Sequence, residues 1–154
     1  MTYVSCPTAA IDAPVALVWQ LLTTPAGWGD VFDLRVTAIE PPGLATIGQR
    51  ICGETGPRFL HLKICFQFVG IDPACHALSL NVRLPFDLTV SEQLDCIPLT
   101  ADRCRVNYHC VFDFPAGWRG ALTRVLLRRA LDNGPADSLS RLKQAAERLH
   151  ASTG

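Results

Sequence analysis

Charge is scarce in this chain and favours neither sign. Only 18% of its residues are charged, and 14 basic side chains balance 14 acidic ones. A molecule without net charge lacks the overall field that draws nucleic acid or an anionic membrane, so no nucleic-acid partner is expected. Arg119, Arg124, Arg128 and Arg129 make the one basic cluster. Arg128 can pair with Asp132, and Asp137 with Arg141, one helical turn on, so the cluster reads as a solvated helix face.

Long hydrophobic runs are missing as well. The longest, Ala13 to Leu22, falls short of the roughly 20 residues that cross a bilayer. The opening MTYVSCPTAAIDAP has no basic start followed by an apolar stretch and a cleavage site, so it does not read as a secretory signal. The expectation is a soluble cytoplasmic protein without membrane insertion. No G-x-G-x-x-G, P-loop or G-x-S-x-G occurs, so no cofactor is expected and nucleophilic catalysis finds no support. The histidines (His61, His76, His109, His150) are scattered, and none of the seven cysteines stands in a C-x-x-C pair, so no metal site is expected. Cys6, Cys52, Cys65, Cys75, Cys96, Cys104 and Cys110 are odd in number and mostly sit in apolar runs. That pattern predicts reduced, buried, space-filling thiols.

What is present is hydrophobicity with clear periodicity. Residues 1–154 make one domain, large enough to bury about two-thirds of its unfolded surface. Tyr3 to Ile11 reads as a strand. IDAPVALVWQLLTTPAGW follows as a short helix, with Asp12 a candidate N-cap and Pro14 in its first turn. The segment GWGDVFD has room for a second short helix. Alternation then predicts strands over about 34–40, 45–53, 58–70, 76–84, 86–97 and 103–114, divided by Pro, Gly and Asp turn signals. Links this short favour antiparallel hairpins.

On one face of these strands lie Leu60, Leu62, Ile64, Phe66 and Phe68; Leu78, Leu80 and Val82; Phe86, Leu88, Val90 and Leu94; and Cys104, Val106, Tyr108, Cys110 and Phe112. The other face carries His61, His109, Arg83, Arg105 and their polar neighbours. A sheet with one apolar face needs a cover, and only the helix from about Trp118 to His150 is large enough. Its stripe in steps of four is Leu122, Leu126, Ala130, Gly134, Ser138, Leu142, which is small in the middle. Pro135 cannot donate to Leu131, so a bend or brief break is expected there. The small residues fit either a close approach of the sheet or a cavity, and the pattern alone leaves both open.

The segment IDAPVALVWQLL resembles the opening of the START-like, Bet v 1-like superfamily (SRPBCC; polyketide cyclase/dehydrase and lipid transport). The end, CRVNYHCVFDFPAGWRGALTRVLLRRAL with SLSRLKQAAE, is similar to that superfamily's last strand and long C-terminal helix. The resemblance covers the whole chain and implies an α+β helix-grip fold. In that fold a seven-stranded curved antiparallel sheet wraps round a long kinked C-terminal helix, with two short helices after the first strand. It also implies an apolar ligand cavity between sheet and helix. The lining is then expected from Trp28 and Phe32; from Leu60, Leu62, Ile64, Phe66, Leu78, Leu80, Leu88, Val90, Glu92, Tyr108 and Cys110 on the strands; and from Leu126, Ala130, Gly134 and Ser138 on the helix.

Polar groups on the inner face decide the chemistry, and they are few: Glu92, Tyr108, Ser138 and, less directly, Gln49. A carboxylate facing an apolar pocket has its pKa raised and can exchange protons. The commoner fate of a lone strand carboxylate is a place at the rim. Tyr108 is in the same way more often a core aromatic than an acid. The expected function is therefore binding or carriage of a small hydrophobic molecule. An aromatase/cyclase using Glu92 and Tyr108 is the enzymatic alternative, weakened because Arg50, Arg83 and Arg105 fall on the outer face. A protein-interaction module is the third reading, disfavoured because the pattern leaves no apolar surface patch unassigned.

Overall fold

The computed structural model describes residues 1–154 apart from Pro57, Arg58 and Leu60. The first predicted strand forms in two pieces, β1 (Thr2–Ser5) and β2 (Thr8–Ile11), because Pro7 has no N–H for a ladder. The Pro7 carbonyl instead accepts from the Tyr108 N–H at 2.9 Å. Next come α1 (Val15–Leu22), a 3-10 turn at Pro25–Gly27, and α2 (Trp28–Val31). Pro14 occupies the N-cap of α1 with no side-chain cap bond. Asp12 does not cap: its carboxylate pairs with Arg103 at 3.1 Å.

Six strands follow: β3 (Arg35–Glu40), β4 (Arg50–Thr55), β5 (Leu62–Asp72), β6 (Ala77–Arg83), β7 (Thr89–Thr100) and β8 (Arg103–Asp113). Sequential antiparallel pairing gives the order β3-β4-β5-β6-β7-β8, and β1 and β2 share the far side of β8. Seven strand positions result, one of them split. β5 starts at Leu62 rather than at about 58, and two more strands start later than the alternation suggests. Gly48, at φ +84°, and the turn closed by Gln49 N–H on the Thr46 carbonyl keep residues 45–49 out of β4. Phe86 and Asp87 adopt φ of +66° and +59°, so β7 begins at Thr89 and Phe86 leaves the inner face, 64% exposed.

The final helix α3 (Trp118–Thr153) is unbroken and contains Pro135. It packs against β1, β2, β8, α1 and α2. Its C-terminal half is held firmly, with Leu139, Leu142, Ala145 and Ala146 buried among Ile11, Val18, Cys104 and Val106. Lys143 Nζ donates to the Ala10 carbonyl and to Glu147 Oε1, both at 2.7 Å, and the Glu147 carboxylate also accepts from the Asp12 N–H at 3.0 Å. In the N-terminal half only Gly120, Thr123 and Leu131 are buried. The stripe read in steps of four therefore slips by one residue there. Leu127 and Leu131 turn inward, while Leu122 and Leu126 face solvent.

The cysteine expectation is corrected. Cys52 and Cys65, directly opposed in the β4–β5 register, are joined by a disulfide. Of the five free thiols, Cys96, Cys104 and Cys110 are buried, and Cys6 and Cys75 are exposed. Among the described residues no helix is long and apolar enough to cross a membrane.

Candidate functional site

Between α3 and the inner face of β5–β8 lies a cavity of about 390 Å³, within the roughly 300–1,000 Å³ usual for small-molecule sites. Its position follows from the small residues of α3. A Cβ added at Gly134 would meet no other atom within 4 Å, so the small stripe leaves room rather than bringing helix and sheet together.

At one side the cavity is aromatic. The Trp28 ring stands nearly perpendicular to Phe66 at 5.4 Å and to Phe32 at 5.9 Å, with Phe68 packed behind at 5.7 Å. The buried Trp28 Nε1–H is satisfied by the Leu22 carbonyl at 3.2 Å, which fixes the ring and leaves its faces for apolar contact. Leu62, Ile64, Leu78, Leu80, Leu88 and Val90 extend this surface, and Ala130, Gly134 and Ser138 roof it. Asp33, Phe86, Ala130, Asp137 and Arg141 are the exposed members of the lining and mark its mouth.

Two titratable groups of the sheet line the cavity. Glu92 on β7 and Tyr108 on β8 both line the cavity. The register pairs Glu92 with Cys110 and Leu94 with Tyr108, which makes Glu92 and Tyr108 diagonal neighbours on one face. Burial pushes the Glu92 carboxyl from about 4.5 up to about 7, against a smaller opposing pull from the neighbouring Tyr108 hydroxyl. Burial, and then the charge of Glu92, holds the Tyr108 hydroxyl well above the usual phenol range. The pair thus offers one neutral donor and one carboxyl that is protonated or ionised with nearly equal ease near neutral pH.

The residues named from the sequence divide as follows. Trp28, Phe32, Leu62, Ile64, Phe66, Leu78, Leu80, Leu88, Val90, Glu92, Tyr108, Ala130, Gly134 and Ser138 line the cavity. Leu60 lies outside the described residues. Leu126 does not line it: it is 71% exposed on the outer side of α3, displaced by the one-residue phase slip. Cys110 is buried beneath Glu92 rather than lining the space, and burial pushes its thiol pKa up. Gln49 is also not a cavity residue. It is buried at the β3–β4 connection, where its amide donates to the Pro41 and Gly43 carbonyls at 2.7 and 3.1 Å. The sequence reading missed Leu127, Leu131 and Leu139, which the corrected phase of α3 supplies, and Arg141 and Asp137 at the mouth. Arg50, Arg83 and Arg105 are exposed, as the alternation predicts. Among the described residues no cluster of His, Cys, Asp and Glu could hold a metal ion.

A curved antiparallel sheet gripping a long helix is a helix-grip fold, and the sequence places the chain in a family. This chain belongs to the polyketide cyclase/dehydrase and lipid transport family, whose profile matches residues 7–147; with it comes membership of the Bet v 1-like (SRPBCC) superfamily. No curated protein matches the chain. Among solved structures it is similar to the Zhui aromatase/cyclase from Streptomyces sp. R1128, at 19% identity and a TM-score of 0.74, covering 100% of this chain and 99% of that one. It is also similar to norcoclaurine synthase from Thalictrum flavum in complex with dopamine and hydroxybenzaldehyde, at 14% identity and a TM-score of 0.70, covering 94% and 86%. A third similar structure is major latex-like protein 151 from Panax ginseng, at 11% identity and a TM-score of 0.67, covering 97% of each chain. At these identities the likeness is one of fold.

Proposed function

We propose that this protein binds one small, largely apolar molecule (a lipid, polyketide or aromatic compound) in the cavity under α3, as a carrier or sequestering protein. Glu92 and Tyr108 take up a single polar group on it. The observation that carries this reading is the lining itself: mostly aliphatic and aromatic side chains with the half-buried Glu92 and Tyr108 side by side among them. Such a surface gains affinity from apolar burial and orientation from a few polar contacts. The aromatic ligands of the norcoclaurine synthase complex support aromatic compounds as one class to try first.

The test is native mass spectrometry of the recombinant protein, with extraction of any co-purified molecule, followed by titration with an apolar fluorescent probe. One-to-one binding that other apolar small molecules displace is the expected result. A folded protein that binds nothing from a broad apolar panel would sink the reading.

A second reading, an aromatase/cyclase-type enzyme, is favoured by one observation: a carboxyl able to give or take a proton near neutral pH stands in a pocket beside a phenol. General acid–base work needs a group of this kind. Against it, the sheet arginines stay outside the cavity. Under the enzymatic reading Glu92→Gln abolishes turnover of a polyketide-like or aromatic substrate and leaves binding nearly intact; under the carrier reading no product forms with either protein.

A further inference from the structure

The outer side of the first half of α3 carries a feature that the cavity does not explain. Trp118, Leu122, Val125 and Leu126 are exposed by 73, 49, 73 and 71%. On a helix turning about 100° per residue they fall within roughly 100° of one another, opposite the side that buries Thr123 and Leu131. This apolar ridge is the surface patch that the sequence pattern did not reveal. Between Trp118 and Leu131 there are four arginines and no acidic residue. On the same turn count, Arg129 falls among the ridge residues, Arg119 lies along one edge and Arg128 near the other, while Arg124 falls beside Leu131 on the side away from the ridge. The Arg119 guanidinium stacks over the Trp118 ring at 5.8 Å. The Arg124 Nη1 lies 2.6 Å from the Met1 sulfur, and Arg128 is 3.9 Å from Asp132 while remaining 82% exposed.

We propose that this face of α3 docks on an anionic lipid surface, with the helix lying in the plane of the interface. An apolar ridge flanked by basic side chains is the pattern of interfacial helices. The ridge enters the headgroup–acyl boundary while the guanidinium groups meet lipid phosphates, and Trp118 suits that boundary. The charge selects this occupant over a second copy of the chain. A two-fold contact puts the same patch on both sides, which would set Arg129 against Arg129 and Arg119 near its copy, with Asp132, already paired with Arg128, the one acid at the ridge edge. An anionic surface meets Arg119 and Arg129 directly and the largely exposed Arg128 at its edge. The inner side of the same helix segment, at Leu127 and Ala130, edges the cavity, so docking here sets the mouth beside the bilayer. The proposal rests on the outer face and stands whether or not the cavity ligand is a lipid.

The full chain is tested by co-sedimentation with vesicles of phosphatidylcholine alone and of phosphatidylcholine mixed with phosphatidylglycerol, at low salt. Binding to the mixed vesicles should be at least tenfold tighter and should fall steeply as salt is added. The double variant Trp118→Ser/Leu126→Ser should lose at least tenfold in vesicle affinity. Arg119→Gln/Arg129→Gln should weaken binding and flatten its salt dependence. Both variants should keep the wild-type melting temperature and cavity-probe affinity in the absence of vesicles. Equal binding to the two vesicle types, or variants that pellet like the wild type, would overturn the proposal. It is equally overturned if the wild type does not pellet and instead forms a dimer, or binds an acidic protein, through a contact that the same variants abolish.

Discussion

Glu92 is the residue on which the two proposed functions differ. Its place in the sequence, alone among Leu88, Val90 and Leu94, showed that a carboxyl shared the apolar face. Whether that face was cavity or rim depended on how β7 lies against β8 and how far α3 stands off, which alternation does not encode. With its carboxyl raised to about 7 by burial, Glu92 links stability to pH. Between about 4.5 and 7 the folded protein keeps a proton that the unfolded chain has lost, so stability falls as pH rises through that window. The loss reaches at most about 3 kcal/mol. Glu92→Gln should remove this slope and be more stable than the wild type at pH 8, with little difference at pH 4.5, as urea denaturation at the two pH values would measure. A parallel pH dependence in both proteins would mean that the carboxyl is solvated.

At the scale of elements, hairpin order and the covering helix could be read from period and turn signals, whereas phase and register could not. Stepping α3 by four residues drifts about 40° each time, enough to exchange Leu126 for Leu127. The Thr55-Gly56-Pro57 turn signal placed the β4–β5 midpoint too early. The actual register sets Thr55 opposite Leu62 and hence Cys52 opposite Cys65, a pairing invisible from cysteine spacing alone. Denatured but unreduced protein should therefore titrate five thiols rather than seven. Reduction should lower the melting temperature, since a closed loop of this size is worth about 3 kcal/mol. On α3, Gly134→Leu replaces a poor helix former and grows into open space. Stability should hold or rise by about 1 kcal/mol, while probe affinity falls at least tenfold, about 1.4 kcal/mol. Clear destabilisation in a denaturant titration, with affinity unchanged, would show that helix and sheet meet there.

The whole molecule sets a curved sheet against one helix that is fastened unequally along its length. Beyond Ser138, α3 is locked by buried Leu139, Leu142 and Ala146 and by the Lys143 and Glu147 contacts. Before Gly134 it rests on Gly120, Thr123 and Leu131 and on the hydrogen bond that the Tyr3 hydroxyl donates to Asp132 at 2.7 Å. The seam between the two regimes is Pro135, where the ladder lacks the bond to Leu131. A helix built this way is hinged at the proline, with its free leaf over the cavity. Opening that leaf breaks few buried contacts, so a ligand should pass in and out by its swing rather than by unfolding of the sheet. Backbone amides of residues 118–133 should exchange with deuterium well before those of 139–150, and a bound ligand should slow the first set while leaving the second unchanged.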